Sequence, residues 1–511
     1  MGSLQRILKN IFAFFTSHLL SVLTQLALTP IFIHRYGIAV YGEWLALSAT
    51  VTILSNLDFG IQTFVTQDLT VRYHKDEIAT FQVLQSTALR TLIGVVAVAG
   101  TLMLGIFLLP LQRWLRMDGS TGLTPITPHE IALTIYLLGL QVLGNIIFGY
   151  LTGQFMVVGR AHVGAYWSNV QRFSLIVASI CAVLLHVRFS TLAAVQLATY
   201  LVIMFLVVLY TRHSAPQIFP TLRFWDGNYV RTMLKPSGHF ALIFSTTFLV
   251  YQCPILILQH VVGPTVVAIF SIMRTIFSMM RMMLSSLSQA IGPEITMFFA
   301  RDEWASLKRL YYESERLVFS LVLIGNGSVL FLSPVLLALW IHKPGLFHSG
   351  AYVLSACIST VISTKEHKYI FQFSTNTHEA LARFMFGSYI VMVLAMVPLS
   401  HAFGIMGVLG DWLAVELVQT AYLFHLNVDL FRAVDRLSAT YIIRLTVIAV
   451  AFFTVASFAL PRTSQLSYTL QIGCFLLAIL VLTGAAYMFF DLKGVAAQLT
   501  QRFQRKQAPA E

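Results

Sequence analysis

The sequence predicts an all-α polytopic membrane protein of about 14 transmembrane helices: two six-helix lobes related by a parallel pseudo-two-fold repeat, with two helices appended at the C-terminal end. Three observations predict it. First, 57% of the 511 residues are hydrophobic and only 11% are charged, with a mean hydropathy of +0.77. A soluble domain carries about 25% charged residues, so this chain cannot cover itself with a water-compatible surface, and lipid is its expected solvent. Second, fourteen segments reach the ~20 apolar residues that a spanning helix needs. They are 10–33, 41–63, 87–109, 131–157, 163–186, 190–210, 237–260, 265–291, 317–341, 349–373, 381–401, 405–428, 438–460 and 466–490. Such segments satisfy their own backbone hydrogen bonds only as helices. Third, the chain repeats itself. Lys75-Asp76-Glu77 and Arg90 return as Arg301-Asp302-Glu303 and Arg316 at an offset of 226. At the same offset Gly37, Thr70, Ala79 and Trp114 match Gly263, Thr296, Ala305 and Trp340. Ten identities fall between Thr70 and Trp114 without a gap, and a repeat must be settled before the fold is read.

Taken in order, Arg6 and Lys9 precede an apolar run that continues to Ile33. That is too long for a signal-peptide core and no small-residue cleavage site follows, so it reads as a retained first span. The longest outside loop lies at about 110–130. The longest inside segment, 211–236, contains Pro216, Pro220 and Gly227 and joins the two copies. The duplicated unit holds six spans, an even number, so both copies point the same way, as in transporters built from parallel repeats. Gln154-Phe155 returns as Gln372-Phe373 at a shorter offset, which fits a longer outside loop in the first copy. Spans 13 and 14 have no counterpart. The expected organisation is an N-lobe at 1–210, a cytoplasmic linker at 211–236, a C-lobe at 237–430, and appended spans with a basic tail at 431–511.

The formal charge of +12 raises nucleic acid as a partner, but the basic residues are scattered between apolar blocks and form no aromatic-interleaved patch. With the N-terminus placed inside, 22 Lys and Arg residues fall on the inside and six on the outside. That is a positive-inside bias with both termini cytoplasmic. The four cysteines lie far apart inside apolar blocks without CxxC spacing, so they read as packing residues, with no disulfide, metal or cofactor expected. No Gly-Lys dipeptide occurs, which excludes a Walker A loop. His129-Glu130 and His378-Glu379 lack the second His of a zinc-protease helix. The chain reads as a non-enzyme.

Charges within spans mark function or internal pairing. Arg274 and Arg281 are seven apart on span 8, with Ser278 on the same face. Facing lipid, each would cost about 2.5–3.5 kcal/mol. Guanidinium suits phosphate geometry, so the pair predicts a cationic wall for a phosphate-bearing substrate, with internal ion pairs as the alternative. Asp58, near the end of span 2, aligns with Leu284, one turn from Arg281. This suggests a gated Asp58–Arg281 pair or a simple helix-end aspartate. His18, Ser21 and Gln25 form a polar stripe on span 1, and span 5 carries Asn169, Gln171 and Arg172; for Arg172 a structural role is favoured. Asp411 and Glu416 on span 12 are candidate partners of the arginines or proton carriers. Lys365-Glu366-His367-Lys368 sits inside span 10 when aligned through Gln372, but by hydropathy it is a cytoplasmic end with snorkelling lysines. Pro254 in span 7 frees a carbonyl and permits a bend that could serve a gate or be a static kink.

The entry to span 2, Pro30-Ile31-Phe32…Tyr36-Gly37…Tyr41-Gly42-Glu43-Trp44, and its end, Leu57-Asp58-Phe59-Gly60, resemble the polysaccharide transporter branch of the multidrug/oligosaccharidyl-lipid/polysaccharide exporter superfamily. That branch includes the Wzx-type O-antigen flippases. The resemblance covers roughly residues 5–430. It implies a flippase for an undecaprenyl-pyrophosphate-linked oligosaccharide, moved from the cytoplasmic to the periplasmic leaflet of a bacterial inner membrane for surface polysaccharide synthesis. It further implies a central cavity lined by spans 1, 2, 7 and 8, and hence by His18, Gln25, Asp58, Arg274 and Arg281, with Arg172 nearby. Ion coupling or gating would fall to Asp411, Glu416, Lys365, Glu366, Lys368 and Pro254, with H⁺ or Na⁺ as counter-ion. The expected state is a monomer. Many Wzx-type proteins have twelve spans; the two extra spans here are a feature shared with lipid II flippases. Competing expectations are a cation-coupled multidrug or other lipid exporter of the same superfamily, and a membrane glycosyltransferase or polymerase.

Overall fold

The computed structural model describes residues 3–58, 60–117, 127–375, 377, 379–431 and 440–489. Among these residues all regular structure is helical. Among the described residues each of the fourteen apolar segments is largely helical, and ten helical stretches are long and apolar enough to cross a membrane. The protein is therefore an all-α, multi-span membrane protein.

The first copy runs α1 (Ser3–Tyr36), α2 (Ile38–Thr52), α3 (Ile61–His74), α4 (Ile78–Leu102), a short α5 (Leu111–Leu115), α6 (Pro128–Val157), α7 (Ala161–Leu184) and α8 (Phe189–Ser214). The second runs α9 (Gly227–Tyr251), α10 (Cys253–Val261), α11 (Pro264–Ala290), α12 (Gly292–Ala300), α13 (Trp304–Leu336), α14 (Ser349–Ser374), α15 (Glu379–Phe403) and α16 (Ile405–Leu430), followed by α17 (Thr440–Thr463) and α18 (Tyr468–Phe489). Local chemistry sets several boundaries. Thr127 caps α6 by accepting from the Glu130 amide, with Pro128 at the first helical position, where a missing N–H costs nothing. Asp226 accepts from the amides of Asn228 and Tyr229 to start α9. Span 7 is broken into α9 and α10 because Pro254 cannot donate to the preceding turn.

The chain divides into two compact units, Met1–Ala268 and Ile269–Glu511. In the first, α6 is the central helix, flanked by α2, α3, α4, α7 and α8, while α1 lies along α7. Its core joins Leu143, Tyr150 and Phe155 of α6 to Phe81 and Leu92 of α4 and Tyr200 of α8. The segment before α9 is held down: Gln85 donates to the Ile218 carbonyl, Ser86 Oγ bonds both the Phe224 amide and its carbonyl, and Thr87 Oγ1 accepts from the Asp226 amide. Helix α9 then packs on α3 and α4, and α10 on α2, so both fall in the first unit. In the second unit α14 is enclosed by α13, α16 and α17, and α18 lies along α13. This enclosure explains why α14, with four polar residues in a row, is not among the ten apolar spans. It is solvated by protein instead of lipid. Gly327 on α13 permits the appended helices to close in. A Cβ there would stand 2.7 Å from Leu482 of α18 and 2.7 Å from Phe452 of α17.

The duplication is written into the backbone. Gly37 and Gly263 start spans 2 and 8 at φ 90° and 115°, and Asp76 and Asp302 both adopt the left-handed conformation, at φ 58° and 55°. Arg116 and His342, again 226 apart, do so at 46° and 59°. Past the longer loop the pairing continues at an offset of 218, with His186 at 59° and Gly404 at 57°. The Lys/Arg-Asp-Glu turns share their hydrogen bonds: Asp76 to Tyr73 and Glu77 to Arg72, against Asp302 to Phe299 and Glu303 to Phe298. Left-handed non-glycine residues are uncommon, so this shared set is not a by-product of similar hydropathy.

Candidate functional site

Helices α11 and α14 of the second unit enclose a cavity of about 560 Å³ lined by Arg281, Met282, Ser285 and Ser288 of α11, Gly292 at the start of α12, and Glu366, Tyr369, Ile370, Phe373 and Ser374 of α14. The i, i+3, i+4 and i+7 spacing of these residues puts them on facing helical stripes. The cavity is amphipathic: a charged pair and three serine hydroxyls lie opposite Met, Ile, Phe and Tyr side chains. Arg281 Nη1 donates to Glu366 Oε1 at 2.8 Å, with both side chains partly exposed. Ser288 Oγ is hydrogen-bonded to His367 Nδ1 at 3.0 Å, and His367 Nε2 to Ser314 Oγ at 3.1 Å, so the imidazole ties α14 to both α11 and α13.

Behind this wall lie two buried ion pairs. Lys365 is paired with Glu416 of α16 and donates to Tyr389 of α15 at 2.9 Å and to Gln419 at 2.6 Å. Glu416 accepts in addition from the Tyr389 hydroxyl and the Trp412 indole. Lys368 is paired with Glu315 of α13 and lies over the rings of Tyr311 and Phe424. Lys365 is 5% exposed, Lys368 3%, Glu315 1% and Glu416 0%. These values overturn the reading of the cluster as a helix end with snorkelling lysines. The ammonium groups turn into the bundle, because acceptors on α13, α15 and α16 replace the water that snorkelling would have reached. Further along α14, Gln372 donates to Asn427 at 2.8 Å, and Asn427 donates to the Lys368 carbonyl.

The other candidates are distributed as follows. Arg274 is not part of the cavity wall; its guanidinium lies 5.7 Å from the Phe270 ring, one turn back on its own helix. Asp58 is 9% exposed and accepts from the Gly60 amide at 3.1 Å, closing the turn between α2 and α3, as a helix-end aspartate does. Arg172 of α7 reaches the Ser17 carbonyl of α1 at 3.5 Å, and Asn169 is bonded to the Ser17 hydroxyl; this polar group serves the α1–α7 contact. Pro254 sits at the break between α9 and α10. Asp411 Oδ2 is buried and has no hydrogen-bond partner among the described residues. The side chains of His18 and Gln25 lie outside the described residues, although their backbone belongs to α1. No group of three or more metal-capable side chains occurs among the described residues.

Sequence reasoning missed Glu315 and Tyr389. Hydropathy starts span 9 at residue 317 and leaves Glu315 just outside it, yet the 226 offset aligns Glu315 with Leu89, within span 3 and near the middle of α4. Tyr389 carried no such signal, since a lone tyrosine in an apolar run is ordinary.

No family model matches the sequence, and no curated protein matches it either. Solved structures do. The chain is similar to an inward-facing multidrug resistance MATE family transporter of the MOP superfamily, with a TM-score of 0.66, 12% identity, and coverage of 81% of this chain and 96% of that one. It is similar to the lipid II flippase MurJ in an inward closed conformation, with a TM-score of 0.67, 11% identity, and coverage of 94% of this chain and 99% of that one. An outward-facing MATE transporter matches at a TM-score of 0.56 and 13% identity, over 84% of this chain and 96% of that one. At these identities the likeness is one of fold: the chain has the fold of MOP superfamily transporters.

Proposed function

We propose that a chain with this transporter fold is a flippase that carries a lipid-linked, phosphate-bearing oligosaccharide across the bacterial inner membrane, from the cytoplasmic to the periplasmic leaflet, by alternating access of two lobes at 1–210 and 237–430. The observation that carries this reading is Arg281, paired with Glu366, in the wall of a cavity otherwise made of hydroxyls, two aromatic rings and apolar side chains. Its volume, about 560 Å³, is in the range of pockets that take drug-sized groups. That suits a headgroup whose isoprenoid tail stays in lipid. Guanidinium binds phosphate with paired, charge-assisted hydrogen bonds. The serines and Tyr369 offer hydroxyl partners and a ring face to sugars. The similarity to a lipid II flippase over 94% of the chain supports the same class of cargo, and the polysaccharide branch resemblance supports a glycan precursor. Moving a negative charge outward is favoured by about 2.3 kcal/mol per 100 mV of inside-negative potential.

A second reading rests on Asp411, whose buried oxygen lacks a partner among the described residues: a cation-coupled exporter with Asp411 as the ion-binding carboxylate. Proteoliposomes separate the two. Flipping of a pyrophosphate-linked lipid that Arg281→Ser reduces about 100-fold, with Asp411→Asn near wild type, supports the flippase. Export of a cationic dye that Asp411→Asn abolishes and Arg281→Ser leaves intact supports the exporter.

A further inference from the structure

We infer that Glu366 is a resident stand-in for the substrate phosphate: it holds Arg281 while the cavity is empty, gives it up when the anion arrives, and reclaims it to expel the anion after transport. This rests on the flippase reading and assigns a residue to its release step. Three observations support it. Arg281 and Glu366 face each other across one cavity, from two different helices, at 2.8 Å. The pair is partly exposed, with 22% and 35% of the side chains accessible, whereas Lys365–Glu416 and Lys368–Glu315, from positions one and two residues away on α14, are sealed. Of these three pairs on α14, only this one among the described residues is open to an incoming anion. Finally, Glu366 accepts one hydrogen bond, from Arg281, while Glu416 accepts from a lysine, a tyrosine and an indole at once. A singly held carboxylate is the one that can be exchanged.

The physical logic is competition. A site with a bare arginine would bind a pyrophosphate firmly and let go slowly, since affinity among related complexes is governed mostly by the off-rate. A tethered carboxylate of the same hydrogen-bonding type lowers the affinity and supplies the group that takes the arginine back. It acts at an effective concentration set by the short tether instead of by solution. Ground-state binding is weakened and turnover gained.

The test uses the full-length chain, purified in detergent and reconstituted in vesicles, with a fluorescent isoprenyl diphosphate as probe. Glu366→Gln keeps the size and a hydrogen-bonding amide but removes the charge. It should bind the probe about tenfold more tightly, equivalent to about 1.4 kcal/mol, dissociate more slowly by a similar factor, and flip it more slowly at saturating probe. Glu366→Asp, which keeps the charge, should return both quantities towards wild type. A merely structural Glu366 would instead show weaker binding and lower thermal stability, or no change in affinity and off-rate; either result overturns the inference while Arg281-dependent binding leaves the flippase reading standing. Failure of the wild type to bind the probe in an Arg281-dependent way overturns the flippase reading itself, and the inference with it.

Discussion

The two copies of the repeat share a backbone and differ in what they bury. At the offset of 218, Lys365 and Lys368 of α14 stand where α6 has Ile147 and Tyr150, and Glu416 stands where α8 has Ala198. At 226, Glu315 replaces Leu89 and Tyr311 replaces Gln85. The first copy closes this region with neutral groups: Tyr150 donates to the Gln85 carbonyl at 2.7 Å, and Gln85 donates to Gln154 at 2.9 Å. The second closes it with two ion pairs. Since one scaffold accepts both solutions, the charges are not a requirement of the fold. Buried pairs are often no more stabilising than apolar replacements of similar size, so their presence beside the cavity of one copy alone points to the working cycle.

The largest expected effect breaks the comparison at its centre. Glu315→Leu or Glu416→Ala alone strands a buried lysine and should cost about 3–5 kcal/mol, read as lost yield and a lower melting temperature in detergent. Glu315→Leu with Lys368→Tyr, and Glu416→Ala with Lys365→Ile, recreate the residues of the first copy. These doubles should recover most of the stability but not the transport. Double variants as unstable as the singles would mean that the charges hold the second copy together, and the contrast between the copies would then be purely structural.

Much of this architecture could be read from the chain because apolar length and charge bias are imposed by the bilayer on the sequence itself. The repeat was equally plain, since Gly37, Gly263, Asp76 and Asp302 report left-handed backbone that few residues tolerate. The site was legible in part. Arg281 stood out because a charge in a span needs a reason, and Glu366 and the lysines stood out as a cluster. What could not be read was pairing. Helical spacing put Arg274 and Arg281 on one stripe, but it does not say which neighbouring helix faces each turn, and only Arg281 meets the cavity. Hydropathy weighs Lys365 against water and cannot know that Glu416, Gln419 and Tyr389 surround it. The ends of spans were obscured for a related reason: the 3₁₀ turn Ile53–Asp58 and the break at Gln252 are set by packing and by a proline, not by composition.

A smaller effect sharpens the contrast through the amides that survive in both copies. Gln154 and Gln372 are true counterparts, each 2% exposed or less. Gln154 meets Gln85, which also ties down the segment leading to α9, whereas Gln372 meets Asn427. Replacing either glutamine by leucine leaves a buried amide short of a partner, at about 1–3 kcal/mol. Gln154→Leu leaves the Gln85–Ile218 bond in place, so Gln85→Leu should be worse than Gln154→Leu. It should also speed backbone hydrogen exchange at 216–226, which Gln154→Leu and Gln372→Leu should not do. Equal exchange in all three variants would remove the strap role assigned to Gln85.

The smallest effect tests what the copies have in common. Asp76 and Asp302 hold the same left-handed turn, at φ 58° and 55°, with the same hydrogen bonds from the following glutamates, 3.1 and 2.9 Å. A non-glycine residue there carries a steric cost of roughly 1–2 kcal/mol, which glycine would relieve, offset on replacement by the greater chain entropy of glycine. Asp76→Gly and Asp302→Gly should therefore each shift the melting temperature by only a degree or two, in the same direction and by the same amount. The buried-pair variants act on what differs between the copies; the turn variants agree because they act on what the copies share. Unequal shifts at Asp76 and Asp302 would show that the surroundings have diverged even where the backbone has not.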